Sequence, residues 1–111
     1  MKNKIHYSRE SRNDLDEIWD YIVSELQNPS AAARIVNAIM EEIDRLADFA
    51  EMGAPLSSVT DVDGGYRFLV TGNYITFYRV QDNNVYVDRV LYGRRDYLRI
   101  LFGKIQNNES E

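Results

Sequence analysis

The sequence predicts an α+β domain of order β-α-α-β-β-β-α. An antiparallel sheet carries an N-terminal helical hairpin on one face, and a short C-terminal helix closes the fold. Three observations predict it. Apolar residues between 9 and 50 recur at the 3.6-residue period of a helix. Residues 66–92 change to the alternation and the Tyr- and Val-rich composition of strands. Asn28-Pro29, and Gly53 followed by Pro55, punctuate the helical part.

Residues 4–8, KIHYS, read as a short first strand. Ser8 is placed to cap a helix whose apolar residues, Leu15, Ile18, Trp19, Ile22, Val23 and Leu26, step by 3, 1, 3, 1 and 3 around one face. Asn28 and Pro29 then serve as N-cap and first residue of a second helix. Ala33, Val36, Met40, Ile43, Ala47 and Ala50 form its stripe, which Ile35, Ile39, Leu46 and Phe49 widen, so broad burial is expected. Gly53 and Pro55 stop it. Strands over 66–71 and 74–80 flank a Gly72-Asn73 hairpin turn. QDNN (81–84) turns the chain into a strand over 85–92. Alternation fails at Arg89-Val90, which predicts a bulge there. After Gly93-Arg94-Arg95-Asp96, the residues Tyr97, Leu98, Ile100, Leu101 and Phe102 predict the closing helix. Residues 1–104 thus make one domain, and 105–111 read as a disordered polar tail.

At 111 residues the chain is long enough for one core. It has no cysteine, which excludes disulfides, thiolate metal sites and cysteine nucleophiles and fits a cytoplasmic location. No apolar run exceeds three residues, so no membrane span is expected. The formal net charge of −5 is unevenly placed. Residues 5–63 carry 4 Arg against 13 Asp and Glu, a net −9, whereas residues 64–104 carry 7 Arg and Lys against 3 Asp, a net +4. Halves of opposite sign predict two surfaces with different partners.

Few residues are able to carry chemistry. Arg94 and Arg95 precede the closing helix, where guanidinium forks and free helix N–H groups converge on phosphate or carboxylate. With Arg67 and Arg99 they form the candidate target- or anion-binding set. Tyr74, Tyr78 and Tyr92 fall on strands of a sheet with one helix-free face and are the candidate partner-binding residues. Glu41, Glu42, Asp44 and Asp48 read as a solvated helix face rather than a metal site, and no metal or cofactor is expected. Trp19 reads as core, and His6, the single histidine, as structural. Gly64-Gly65 and Gly72 lack the strand–glycine–helix order of a phosphate loop.

Three blocks in order, DLDEIWDYI (14–22), NPSAAARIVNAIMEEIDRLADFAEMGAPL (28–56) and GNYITFYRVQDNNVYVDRVLYGRRD (72–96), resemble the RelE/ParE superfamily of toxins from bacterial type II toxin–antitoxin modules. They cover most of residues 5–102. The resemblance implies a small cytoplasmic α+β toxin neutralised by an antitoxin encoded beside it. The ParE-like branch poisons DNA gyrase by binding, whereas the RelE-like branch cuts mRNA on the ribosome. Cutting RNA requires groups that activate the 2′-hydroxyl, offset the phosphate charge and protonate the leaving oxygen. The nuclease branch usually has an arginine after the tyrosine of the GNY block, where this chain has Ile75. Other relatives have a histidine before Gly-Arg-Arg, where it has Tyr92. Arg67, Arg95 and Tyr97 remain as the catalytic set of a ribonuclease, and they make a poor one. The resemblance therefore implies a ParE-like, non-enzymatic toxin with DNA gyrase as target. The alternatives are a RelE-like mRNA endoribonuclease and a non-toxic relative that keeps only antitoxin binding.

Overall fold

The computed structural model describes residues 2–56 and 65–93. In chain order these form β1 (Lys4–Tyr7), α1 (Arg9–Glu25), α2 (Pro29–Asp44), a 3-10 turn (Arg45–Ala47), β2 (Ala54–Pro55), β3 (Tyr66–Thr71), β4 (Tyr74–Gln81) and β5 (Asn84–Tyr92). The expected closing helix and the tail lie outside the described residues, as do Arg94, Arg95, Tyr97 and Arg99.

Both helices start where their caps predict. The Ser8 hydroxyl accepts the Ser11 N–H at 2.9 Å and donates to the Asp88 carbonyl at 2.8 Å, so one side chain caps α1 and ties it to β5. Asn28 Oδ1 accepts the Ala31 N–H at 3.0 Å, with Pro29 in the first turn of α2. Between the helices Gln27 takes a left-handed φ of 52°, a conformation that favours glycine.

The second helix ends sooner than its apolar pattern predicts. Asn3 supplies the reason: its backbone N–H donates to the Ala47 carbonyl at 2.8 Å, and its side-chain amide donates to Leu46 and Ala47 carbonyls at 3.1 and 3.2 Å. Carbonyls that a longer helix would use are taken by the chain entering β1. Leu46 is still fully buried, whereas Phe49 is 60% exposed.

The five strands form one sheet of order β1-β5-β4-β3-β2. The sheet is mixed rather than antiparallel, because β1 pairs in parallel with β5 (Ile5 opposite Val85, Tyr7 opposite Val87). Strand alternation reports which face a residue occupies but not the strand's direction, which is set by where the helical hairpin returns the chain. The bulge lies one residue before the expected place. Phe77 pairs with Arg89 and Tyr78 with Val87, leaving Asp88 as the extra residue of β5.

The main core lies between the helices and one sheet face. Leu15, Ile18 and Ile22 of α1, with Ala32, Ile39 and Ile43 of α2, meet Leu69, Tyr78, Val85, Val87 and Val90. The pairs Phe68–Phe77 and Ile75–Leu91 alternate to the other face. There Leu56, Phe77 and Leu91 are buried in a second cluster. The helix-free face is therefore not a bare surface for tyrosines.

Candidate functional site

A concavity among the described residues lies on the helical hairpin. Arg12, Leu15, Asp16 and Trp19 project from α1 at the i, i+3, i+4, i+7 spacing of one helix face. Val36 and Met40 of α2 face them, and Tyr7 lies alongside. Together they line a groove of about 430 Å³. Trp19 is 39% and Met40 38% exposed. Trp19 is therefore groove wall, not the core residue its periodicity predicts. The Leu15–Ile18–Ile22 ridge already fills the sheet-facing side of α1, so an apolar stripe reaching Trp19 and Leu26 is wider than the sheet can cover. That excess width is the signal in the sequence. Burial pushes the Tyr7 phenol up to about 12, and the Asp44 carboxylate adds to the effect, so Tyr7 is neutral at physiological pH.

Two of the expected contact residues are engaged inside the fold. Tyr78 is wholly buried. Its hydroxyl accepts the Gly53 N–H at 3.0 Å and donates to the Ala50 carbonyl at 2.9 Å. Burial raises its pKa, partly offset by the Gly53 hydrogen bond and the nearby Arg67 charge. Tyr78 therefore offers no surface to a partner in this fold. Arg67 donates to the Gly53 and Glu51 carbonyls at 2.7 and 3.3 Å, bracing the same 50–53 loop.

Tyr74 and Tyr92 do come together, edge to face with ring centres 5.7 Å apart. Burial raises the Tyr74 pKa, followed by the phenols of Tyr92 and of Tyr21, which sequence periodicity passed over. Tyr21 is 56% and Tyr92 43% exposed, so α1 and the sheet share an aromatic patch at this end.

A cation outside the sequence-based set lies on the face away from the helices. Tyr66, Arg79, Tyr86 and His6 form one cross-strand row over β3, β4, β5 and β1. The Arg79 guanidinium lies 5.5 Å from the Tyr86 ring centre and 6.0 Å from that of Tyr66. It also binds the bulge carboxylate of Asp88, Nε to Oδ2 at 2.8 Å. That hydrogen bond is the main reason its pKa is raised. Burial, then the Asp88 charge, raise Tyr66. His6 stacks on Tyr86 at 5.0 Å, and its Nε2 is 2.9 Å from Asn84 Oδ1, in keeping with a structural role.

The nuclease positions hold packing groups. Ile75 packs in the second apolar cluster. Its side chain leaves no room for a Cβ at Gly93, which would come within 2.8 Å. Tyr92 belongs to the aromatic pair. Ile75 lies four residues along β4 from Arg79, the row of His6, so roughly 13 Å of strand separates them. Among the described residues no group of three His, Asp or Glu side chains is placed to hold a metal, and no helix is long and apolar enough to cross a membrane.

Residues 5–97 match the family model described as the ParE toxin of the type II toxin–antitoxin system, parDE. Toxin ParE1 of Caulobacter vibrioides is 32% identical over 73 residues, 66% of this chain and 72% of that protein. A solved structure titled as the chromosomal ParDE toxin–antitoxin system from P. aeruginosa superposes with a TM-score of 0.67 and 26% identity. It covers 80% of this chain and 94% of its own. The RelBE2 toxin–antitoxin complex from Mycobacterium tuberculosis shares the fold, with a TM-score of 0.60 at 20% identity over 83% of this chain and 92% of its own.

Proposed function

The chain belongs to the ParE toxin family of type II toxin–antitoxin systems, and from that premise we propose that it arrests growth by binding and poisoning DNA gyrase and is neutralised by a cognate antitoxin. The observation that carries the mechanism is the packing of Ile75 and Tyr92. One is part-buried and packed close to Gly93 and the other lies edge to face on Tyr74, so neither supplies a cation or an imidazole to a 2′-hydroxyl. The single histidine lies in a different row of the sheet.

In this reading Arg94, Arg95 and Arg99 supply the basic contacts to the target. Arg67 braces the 50–53 loop, its guanidinium held by the Glu51 and Gly53 carbonyls. Tyr74 and Tyr92 belong to a partner surface with Tyr21, and the family match with the likeness to the ParDE system supports an antitoxin as one partner.

Induced expression with and without the antitoxin tests the reading. Expected are growth arrest and DNA-damage signalling, both reversed by the antitoxin, with no codon-linked breaks in ribosome-associated mRNA. Discrete mRNA breaks without DNA damage overturn it in favour of a ribonuclease. Expression without arrest leaves a non-toxic antitoxin binder.

A further inference from the structure

We infer that Tyr21, Tyr74 and Tyr92 form an open aromatic box that takes the guanidinium of an arginine on a partner protein. The inference rests on the partner surface assigned to these tyrosines above, and gives that surface its chemistry.

The fold pairs one aromatic row with a cation of its own. On the face away from the helices, the Arg79 guanidinium lies 5.5 Å from the Tyr86 ring centre and 6.0 Å from that of Tyr66, balanced by Asp88. At the far end of β4, on the opposite face, Thr71, Tyr74 and Tyr92 form a second row across β3, β4 and β5. Tyr74 and Tyr92 meet at an interplanar angle of 73° with centres 5.7 Å apart, so they make two adjoining walls. Tyr21 of α1 is close enough to act on the Tyr74 phenol and supplies the third. Tyr21 and Tyr92 are both open to solvent.

Charge selects a cation. Among the described residues none acts on Tyr74, whose pKa is raised by burial and then by the phenols of Tyr92 and Tyr21. Burial raises Tyr66 and Tyr78 too, but there Arg79 and Arg67 pull the other way. Glu17 and Glu25 lie one turn to either side of Tyr21 on α1. Both are exposed, and neither makes an ion pair among the described residues. Glu17 acts on Arg89, whose charge Asp14 already takes. Ring faces carry negative potential, so rings and carboxylates attract the same ligand. A guanidinium suits the box better than an ammonium. It is planar and weakly hydrated, stacks on aromatic faces, and keeps N–H donors for the flanking carboxylates. One further acceptor lies in the row: Thr71 Oγ1 is buried without a hydrogen-bond partner, and a donor that reaches it relieves an unsatisfied group.

The same features reject other occupants. Phosphate and nucleic acid are repelled by Glu17 and Glu25. A second copy presenting the same end would set carboxylate against carboxylate. An apolar segment would cover the rings and leave both carboxylates without a partner. Arg94 and Arg95 follow Tyr92 in sequence, and the experiment separates them from an arginine supplied by a partner.

The probes are N-acetyl-arginine methylamide and its citrulline counterpart, which keeps the size and planarity but not the charge. Expected are saturable NMR shifts of the Tyr21, Tyr74 and Tyr92 ring resonances with the arginine probe, with citrulline bound at least about fivefold more weakly. Tyr92→Phe should bind like the parent, because the ring is what acts. Tyr92→Leu should weaken binding about threefold, and Tyr21→Leu/Tyr92→Leu about tenfold, with the melting curve unchanged. Glu17→Gln/Glu25→Gln should weaken it about threefold and flatten its dependence on salt. Equal binding of the two probes, shifts confined to other tyrosines, or full binding by Tyr21→Leu/Tyr92→Leu overturns the inference. Arg94→Ala/Arg95→Ala should bind the probe no more tightly than the parent. Markedly tighter binding would seat one of the chain's own arginines in the box and overturn the assignment to a partner. If the arginine probe binds but expression causes no arrest, the box stands and the toxin reading fails. If the antitoxin relieves arrest while the probe moves none of the three rings, the toxin reading holds and the box fails.

Discussion

Asp14 closes the edge of β5 through Arg89, a residue 75 positions away in sequence. The two oxygens of Asp14 meet Nε and Nη2 of Arg89 at 2.8 and 2.9 Å, and Oδ2 also accepts the Val90 N–H at 2.9 Å. The need arises because β1 ends at Tyr7, opposite Val87, while β5 runs on to Tyr92. From Asp88 onward the strand edge has lost its neighbour. Ser8 takes the Asp88 carbonyl and Asp14 takes the Val90 amide, so α1 replaces the missing strand. The side-chain hydrogen bond to Asp14 raises the Arg89 pKa, which burial alone would lower.

Removal of Asp14 is therefore a first prediction. Asp14→Ala leaves a buried amide and a part-buried guanidinium without partners, and should destabilise the fold by about 3 kcal/mol. Asp14→Asn keeps one acceptor and should lose about half as much. Urea denaturation of the three proteins checks the order. A loss below about 0.5 kcal/mol for the alanine variant would place the pair among surface ion pairs of little energetic weight.

The Tyr78–Gly53 contact gives a second prediction. A Cβ at Gly53 would lie 2.5 Å from Tyr78 Oη and 2.7 Å from the Phe68 carbonyl, and the backbone carbonyl does not yield easily. Gly53→Ala should be destabilising, and Tyr78→Phe should cost about 1–3 kcal/mol by leaving the buried Gly53 N–H unsatisfied. The double variant should lose less than the sum, since both changes disturb one contact. Thermal melts of the single and double variants measure this coupling directly.

Much of this architecture is legible in the sequence, because caps and periods are local. Ser8, Asn28, Pro29 and the Gly72-Asn73 turn each act over three or four residues, and the sequence places all of them. What escapes it is set by distant parts of the chain. The parallel pairing of β1 depends on the path of the hairpin, and the early end of α2 depends on Asn3, more than forty residues away in sequence. Trp19 and Tyr78 are misread for the same reason: period marks an apolar side, but not whether a second layer covers it. The bulge is felt as broken alternation, yet its extra residue is Asp88, whose carboxylate binds Arg79. The arginine pair after Gly93 lies outside the described residues.

Gln27 supplies a third prediction. Its φ of 52° carries a cost for any residue with a Cβ, of order 1 kcal/mol. Gln27→Gly should relieve that strain, and part of the gain is returned through the greater freedom of glycine in the unfolded chain. The expected net effect is stabilisation of about 0.5 kcal/mol, read as a small rise in melting temperature. A fall would show that the Gln27 side chain contributes more than its backbone strain removes.

Alkaline pH should unfold the protein earlier than surface tyrosines would require. Tyr7 is raised from 10.0 to about 12, chiefly by burial, and Tyr66, Tyr74 and Tyr78 are raised in the same direction for the same first cause. A folded-state pKa above the unfolded one means that the native protein holds its protons longer. The associated stability is complete below about pH 10 and is lost as pH rises from there through about 12. Urea midpoints measured from neutral pH upward should be flat up to about pH 10, as far as these phenols are concerned, and then fall. Tyr7→Phe should flatten part of that fall, and an unchanged slope would remove Tyr7 from the account.

The last prediction concerns Arg94 and Arg95. If they supply the anion contact to the target, Arg94→Ala/Arg95→Ala should abolish growth arrest while changing stability by no more than about 0.5 kcal/mol, the usual range for surface residues. Arg94→Lys/Arg95→Lys separates charge from shape. Lysine keeps the charge but lacks the planar two-pronged fork, so partial loss of arrest indicates bidentate contacts with phosphate or carboxylate. Full arrest with lysine indicates attraction by charge alone, and that form should weaken most steeply with salt. Antitoxin binding is the internal control, and it should be equal in all three proteins if the arginines contact only the target. An alanine pair that still arrests growth removes these arginines from the target site. An alanine pair that unfolds makes them structural partners, and the target contact must then be sought among the tyrosines at the Tyr74–Tyr92 end of the sheet.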